Sequence, residues 1–216
     1  MSSTLDAWDE RYREGPEQAA ATPSPIVSEL LPLLPVGHAL DLACGAGRHA
    51  LLLAGRGYAT TGVDVAGRGL DLAEERARTA GVFVRRTTRL EEPKHRSVSG
   101  ITLVQADLQS TPLPADSFEV IVCVHYLQRS LFPQIEQALR PKGMLVFETF
   151  TRAHLEFAAG PRNPEFLLES HELRSAFPGL RTIFYRELRA GKGIASLLAE
   201  KSGTSSPRGD QWNQRA

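Results

Sequence analysis

The chain is poor in cysteine, with only Cys44 and Cys123 among 216 residues. Two thiols make neither a disulfide framework nor a metal site. Both fall near the ends of strand-like runs, where small buried thiols are common, so inert core residues are expected. An excess of either charge is also missing: 25 Lys+Arg balance 25 Asp+Glu, and the sequence pI is about 7.0. Such a balance supplies no long-range attraction to nucleic acid or to an anionic membrane, though a local basic patch remains open. No apolar run is long enough to span a bilayer, and the N-terminus carries no signal-peptide pattern, so a soluble, cytoplasmic protein is expected. His95 has no second ligand at metal spacing, and no metal is expected. Repeats and a second domain are absent from the pattern. What is present is a chain 42% hydrophobic, enough for one α/β domain with a full core.

The stretch that organises the rest is residues 39–64, ALDLACGAGRHALLLAGRGYATTGVD. An apolar run containing Asp41 enters a small, Gly-rich turn, Ala43-Cys44-Gly45-Ala46-Gly47; a helical stretch follows from Arg48 to Ala54, then a second strand-like run ending at Asp64. Small residues let a backbone approach a ligand closely. An acidic residue nineteen positions after Gly45 is at the reach expected for a carboxylate that accepts from a ribose. A nucleoside-containing cofactor is therefore expected. Gly45, Gly47 and Ala50 also fit a dinucleotide fingerprint. Asp41 argues against NAD, because a carboxylate there repels a pyrophosphate and suits a cofactor with a cationic amino-acid end.

This D-x-A-x-G-x-G turn with its following acidic residue resembles motif I and the acidic motif of class I S-adenosylmethionine-dependent methyltransferases. One departure is Ala43, where the family usually has glycine; the turn is expected to form with slightly less room. The resemblance implies a Rossmann-like α/β fold, a seven-stranded, mostly parallel sheet with helices on both faces and a C-terminal antiparallel β-hairpin, and S-adenosyl-L-methionine as cofactor. Asp41 and Gly45 to Gly47 would hold the methionine end, with Ala43, Cys44 and Arg48 lining the same turn. Asp64, with Val65 beside it, would take the ribose. Asp107 and Leu108, at the end of ITLVQADL and before a Pro-rich connection, sit where the family accepts the adenine amino group and packs on its ring. Cys123, late in the continuous apolar run FEVIVCVHYL, completes the cofactor set.

Around this half the chain reads in order. Leu5, Trp8 and Tyr12 share one face of an N-terminal helix, which is either a docking helix or, as the W-x-x-x-Y resemblance implies, a lid over the cofactor. Residues 1–25 are this helix and a linker, 26–201 the methyltransferase domain, and 202–216 a polar, disordered tail. Ser24 and Pro25 open a helix that Pro32 kinks or ends. Residues 82–100 read as an insertion, a solvated loop whose Arg85, Arg86, Arg89, Lys94 and Arg96 leave a nucleic-acid contact open. His125 and Tyr126 end a buried strand and should look into the active site. His125 is either a general base, a substrate holder or a closure of the cofactor pocket. Arg129 and the Pro-stiffened loop with Arg162 and Asn163 complete the candidate acceptor residues.

The Asn/Asp-Pro-Pro-Tyr motif of amino-directed methyltransferases is absent, which disfavours an exocyclic base nitrogen. The W-x-x-x-Y, D-x-x-C-G-x-G-R, YLxRSLFP-like and NPxFLL stretches look most like tellurite-resistance-type methyltransferases and their small-molecule relatives. A small soluble acceptor, such as a chalcogen oxyanion or a thiol, is the expectation. RNA- or protein-directed methylation, or a non-catalytic nucleotide-binding module of the same fold, are the alternatives.

Overall fold

In the computed structural model, which describes residues 4–14, 21–93, 99–157 and 160–203, eight strands form one sheet. They are β1 (His38–Leu42), β2 (Ala59–Asp64), β3 (Val84–Thr87), β4 (Gly100–Gln105), β5 (Phe118–Val124), β6 (Leu139–Phe150), β7 (Leu180–Arg189) and β8 (Gly193–Lys201). Their order is β3-β4-β2-β1-β5-β6-β8-β7. The first six run parallel, and β8 returns antiparallel between β6 and β7. The helices are α1 (Thr4–Glu14), α2 (Pro25–Leu30), α3 (Arg48–Ala54), α4 (Gly67–Thr79), α5 (Phe132–Ala138) and α6 (Glu172–Ser175).

The central strands are apolar on both faces because each face is covered, as parallel sheets require. In β5, Ile121 and Cys123 join the cluster under Phe132, Phe147 and Phe177, while Val120, Val122 and Val124 point the opposite way toward Ile26, Leu30 and Leu53. α4 lays Leu70, Ala73 and Ala77 against Ile101 and Leu103 of β4. α2 ends at Leu30, where the chain tightens into a 3-10 turn that contains Pro32, as the missing N–H of proline dictates. Ser24 stands at the N-cap position, but its side chain makes no capping bond.

The expected Rossmann-like class, all seven expected strands and the C-terminal hairpin are present. The correction lies in residues 82–100, where Val84–Thr87 adds an eighth strand at the sheet edge, parallel to β4. Its four residues alternate partly buried valine and threonine ends around exposed Arg85 and Arg86. Charge on a short edge strand blocks further strand pairing, and the same charge hides the strand from a search for apolar runs. Arg85 donates to Thr102 Oγ1 at 3.0 Å; Arg86 pairs with Asp71 and donates to Gln105 Oε1 at 2.9 Å. These two arginines thus fasten the edge rather than present a free basic patch. Lys94, His95 and Arg96, like most of the tail at 204–216 and the linker at 15–20, lie outside the described residues. No helix among the described residues is long and apolar enough to cross a membrane.

Candidate functional site

β1, β2, β4 and β5 all end on one side of the sheet, and the loops there gather the predicted residues. The turn after β1 carries three left-handed residues, Ala43 (φ 51°), Gly45 (φ 53°) and Gly47 (φ 74°). The turn forms despite Ala43, whose left-handed backbone costs an L-residue about 1–2 kcal/mol. Gly47 is glycine for two reasons: its φ, and a Cβ that would stand 2.7 Å from that of Ala73 on α4. Arg76 of α4 donates to the Ala46 carbonyl at 3.1 Å and holds the turn from outside.

Asp64 is the hub of the cradle. Its Oδ2 accepts from Gly45 N–H at 2.7 Å and its Oδ1 from Ala66 N–H at 2.8 Å. Burial raises its pKa, and the Ala66 and Gly45 N–H groups partly offset that rise. Each carboxylate oxygen has two acceptor positions, so one on each remains for the adjacent hydroxyls of a ribose. The residues therefore fit S-adenosylmethionine at this point, with glycine backbone on one side and an acceptor pair on the other. Asp107, exposed after β4, accepts from Gln109 N–H at 2.8 Å, and Leu108 is buried next to it. Val65 is half-buried, and its carbonyl accepts from Gln105 at 3.4 Å.

Other members of the expected cofactor set lie deeper. Asp41 is 1% exposed, beneath the turn rather than on it; its Oδ2 accepts from Ala50 N–H at 3.0 Å, and His49 Nδ1 is 3.8 Å from its other oxygen. Its geometry is that of a prop for the turn. Cys44 and Cys123 are buried, free thiols. Burial, with Asp41 nearby, pushes both thiols up and away from thiolate chemistry. Cys123 Sγ faces the Tyr126 carbonyl at 3.7 Å.

α1 crosses the mouth of the cradle. Asp9 accepts from Arg68 N–H at 2.9 Å, at the start of α4. The Tyr12 ring lies over Gly45 and Gly69, so close that a Cβ on Gly45 would stand 2.3 Å from its hydroxyl. Burial, then Asp64, push the Tyr12 hydroxyl up to about 12. Trp8, by contrast, is 42% exposed, with the Arg11 guanidinium over its ring at 5.1 Å.

The acceptor candidates separate. His125 ends β5 in the left-handed region (φ 60°), its N–H donating to the Glu148 carbonyl at 2.8 Å. Strain of this kind in a non-glycine residue persists where surrounding contacts enforce it. Its ring stacks on Phe150 at 4.8 Å, and Arg48 Nη2 lies 3.3 Å from its Nδ1. Although the residue is exposed on one side, its packed ring is pushed down to about 4, first by burial, then by Arg48, Lys192, His49 and His154. Burial and Asp41, in that order, pull the Arg48 guanidinium down and up. Tyr126 bonds Gln128 through its hydroxyl at 2.5 Å, and burial raises its pKa.

Arg129, Arg162 and Asn163 are not brought to this corner as free donors. Arg129 makes a two-pronged bond to Glu172, 2.6 and 2.8 Å, and also donates to the Glu165 and Leu167 carbonyls. Arg162 donates to the Leu155 and Phe157 carbonyls, and Asn163 caps the short turn that follows by accepting from Glu165 N–H. All three shape the loop between β6 and β7. Arg129→Ala should therefore cost about 1 kcal/mol of stability, discounted because the guanidinium is 43% exposed. Urea denaturation checks this; loss of cofactor or acceptor binding at unchanged stability would refute the structural role.

Three residues without an assigned role in the sequence reading belong to the corner. Glu148, buried near the end of β6, accepts from Ser196 Oγ at 2.7 Å. His154 is buried, its ring 4.4 Å from Phe150, and its Nδ1 accepts from Gly193 N–H at 3.2 Å. Lys192 enters from the β7–β8 turn. A charged glutamate inside the apolar run MLVFETF was the one available signal.

Comparison with known proteins follows this geometry. Residues 40–147, half of the chain, match the family described as a methyltransferase domain. A ubiquinone biosynthesis O-methyltransferase of Histophilus somni (strain 2336) is 26% identical over 135 residues, 60% of this chain and 52% of that protein. The chain thus spans about half the length of this curated relative. Among solved structures, one described with the conversion of a disulfide bond into a thioacetal group during echinomycin biosynthesis superposes with a TM-score of 0.67, at 19% identity, over 94% of this chain and 95% of its own. TehB from Haemophilus influenzae superposes with a TM-score of 0.64, at 17% identity, over 90% of this chain and 67% of its own. At such identities these two likenesses speak for the fold.

Proposed function

We propose, since this chain belongs to the methyltransferase-domain family, that it transfers a methyl group to a small soluble acceptor bound at the His125 corner. The cofactor is S-adenosylmethionine, whose sulfonium supplies an activated methyl. The chain's residues then have three tasks: to hold the cofactor, to align the acceptor and to exclude water. Asp64 takes the ribose, the Ala43–Gly47 turn the methionine end, and Asp107 with Leu108 the adenine. Tyr12, lying over Gly45, serves as the lid.

The observation that carries this reading is the Arg48–His125 contact at 3.3 Å, which ties the cofactor turn to the end of β5. An acceptor at His125 is then beside the cradle. The rings of Phe150, His154 and Phe157 stand in sequence next to it, with centroids 4.4 and 5.9 Å apart, and wall the corner at the scale of a small molecule. We favour a chalcogen oxyanion or a thiol as acceptor. An RNA-directed reading loses support because Arg85 and Arg86 are engaged along the sheet edge.

The test is calorimetric titration with S-adenosylhomocysteine, followed by turnover assays with selenite, tellurite and low-molecular-weight thiols. Micromolar binding and methylated product from one of these classes is expected. No binding would remove the methyltransferase activity. Binding without turnover of any of them, while a phenol or RNA is methylated, would overturn the acceptor class.

A further inference from the structure

Building on the methyltransferase reading above, we infer that His125 is a fixed hydrogen-bond donor through Nε2–H, so that its corner takes acceptors that arrive already anionic. A guanidinium has donors and no acceptor. With Arg48 Nη2 at 3.3 Å, His125 Nδ1 must therefore present its lone pair, and a neutral ring then carries its proton on Nε2. Among the described residues this is the ring's one hydrogen bond, and the residue is exposed.

The surroundings hold the ring in that state from every packed element. Arg48 and His49 face it from α3, Lys192 from the β7–β8 turn, and His154 from the segment after β6. Each disfavours a second proton on the imidazole. The balancing carboxylates act on Arg48 instead: Asp41 lies under the turn, and Glu148 is bonded to Ser196. Phe150 stacks on the ring, and the left-handed backbone at His125 limits reorientation.

A histidine so fixed is a poor general base, because its free lone pair is taken by Arg48. It is well suited to hold an oxyanion or thiolate by donating to it. An anionic acceptor contributes the electron pair of the new bond to the methyl carbon, and the breaking C–S pair stays on sulfur. The acceptor's negative charge and the sulfonium's positive charge cancel, and no proton has to leave. A neutral hydroxyl would need a base, and the lone pair of His125 is already engaged by Arg48.

The experiment is two-bond 1H–15N correlation of the histidine rings in 15N-labelled protein between pH 5.5 and 8, with the His125 signals assigned by His125→Gln. The Nε2-protonated tautomer is expected across the range, with Arg48→Met raising the apparent pKa toward the ordinary value of about 6.5 and mixing the tautomers. An Nδ1-protonated ring, or an imidazolium at pH 7, would overturn the inference. Adding selenite with saturating S-adenosylhomocysteine should move the Nε2–H signal; a signal that stays put would overturn the acceptor assignment. Failure of the methyltransferase reading shows separately, as absent S-adenosylhomocysteine binding in the calorimeter.

Discussion

Asp64→Ala is expected to weaken S-adenosylhomocysteine binding by at least about a hundredfold. Two hydroxyl donors lose a charged acceptor, and hydrogen bonds to charged groups contribute about 1.5–3 kcal/mol each. The same change leaves Gly45 and Ala66 N–H without their 2.7 and 2.8 Å acceptor. Part of the effect is therefore disorder in the cradle. Asp64→Asn separates the two contributions, since it preserves shape and one acceptor while removing the charge. An intermediate loss of affinity is expected for it, by isothermal calorimetry on protein shown folded by circular dichroism. If Asp64→Ala binds within threefold of the wild type, Asp64 is not the ribose ligand and the cofactor lies elsewhere.

Gly47→Ala should be strongly destabilising. The left-handed φ of 74° costs an alanine about 1–2 kcal/mol. Its Cβ would also stand 2.7 Å from the Ala73 Cβ, and neither atom is the end of a flexible side chain. Overpacking of that kind adds about 1–3 kcal/mol. A combined loss of about 2–5 kcal/mol is expected in urea denaturation, along with weakened cofactor binding as the turn shifts. Gly57→Ala serves as a control, for it has a positive φ of 90° but open space around the new Cβ. A Gly47→Ala cost no larger than that of the control would mean that α4 yields, and that the close approach of turn and helix is not what demands glycine.

The strand-turn-helix-strand unit from β1 to Asp64 was legible because its determinants are local. The turn, the strand ends and the Gly45–Asp64 spacing are all set within one strand-helix-strand unit, where glycine and acid positions follow from backbone geometry. Even there, burial was not visible. Asp41 and the two cysteines are buried, since whether a residue near a strand end faces the ligand or the core depends on what packs behind it. β3 was missed because an edge strand of four residues carries charge where a search expects apolar side chains.

The acceptor half shows the opposite case. Arg129, Arg162 and Asn163 have the right chemistry for a substrate, but their nearest acceptors are protein groups. Glu172 is 43 residues from Arg129, and that pairing exists only once the loop after β6 has folded back. His125 and Arg48 are 77 residues apart, and nothing in either segment announces the other. The sequence by itself determined the α/β order, the glycine-rich turn after β1 and the acid at the end of β2, because these depend on short-range backbone preference and hydrophobic period. Only the tertiary structure decided which arginines pair with protein groups and which side chains surround His125, because both depend on charges and hydrogen-bond partners that distant segments bring together.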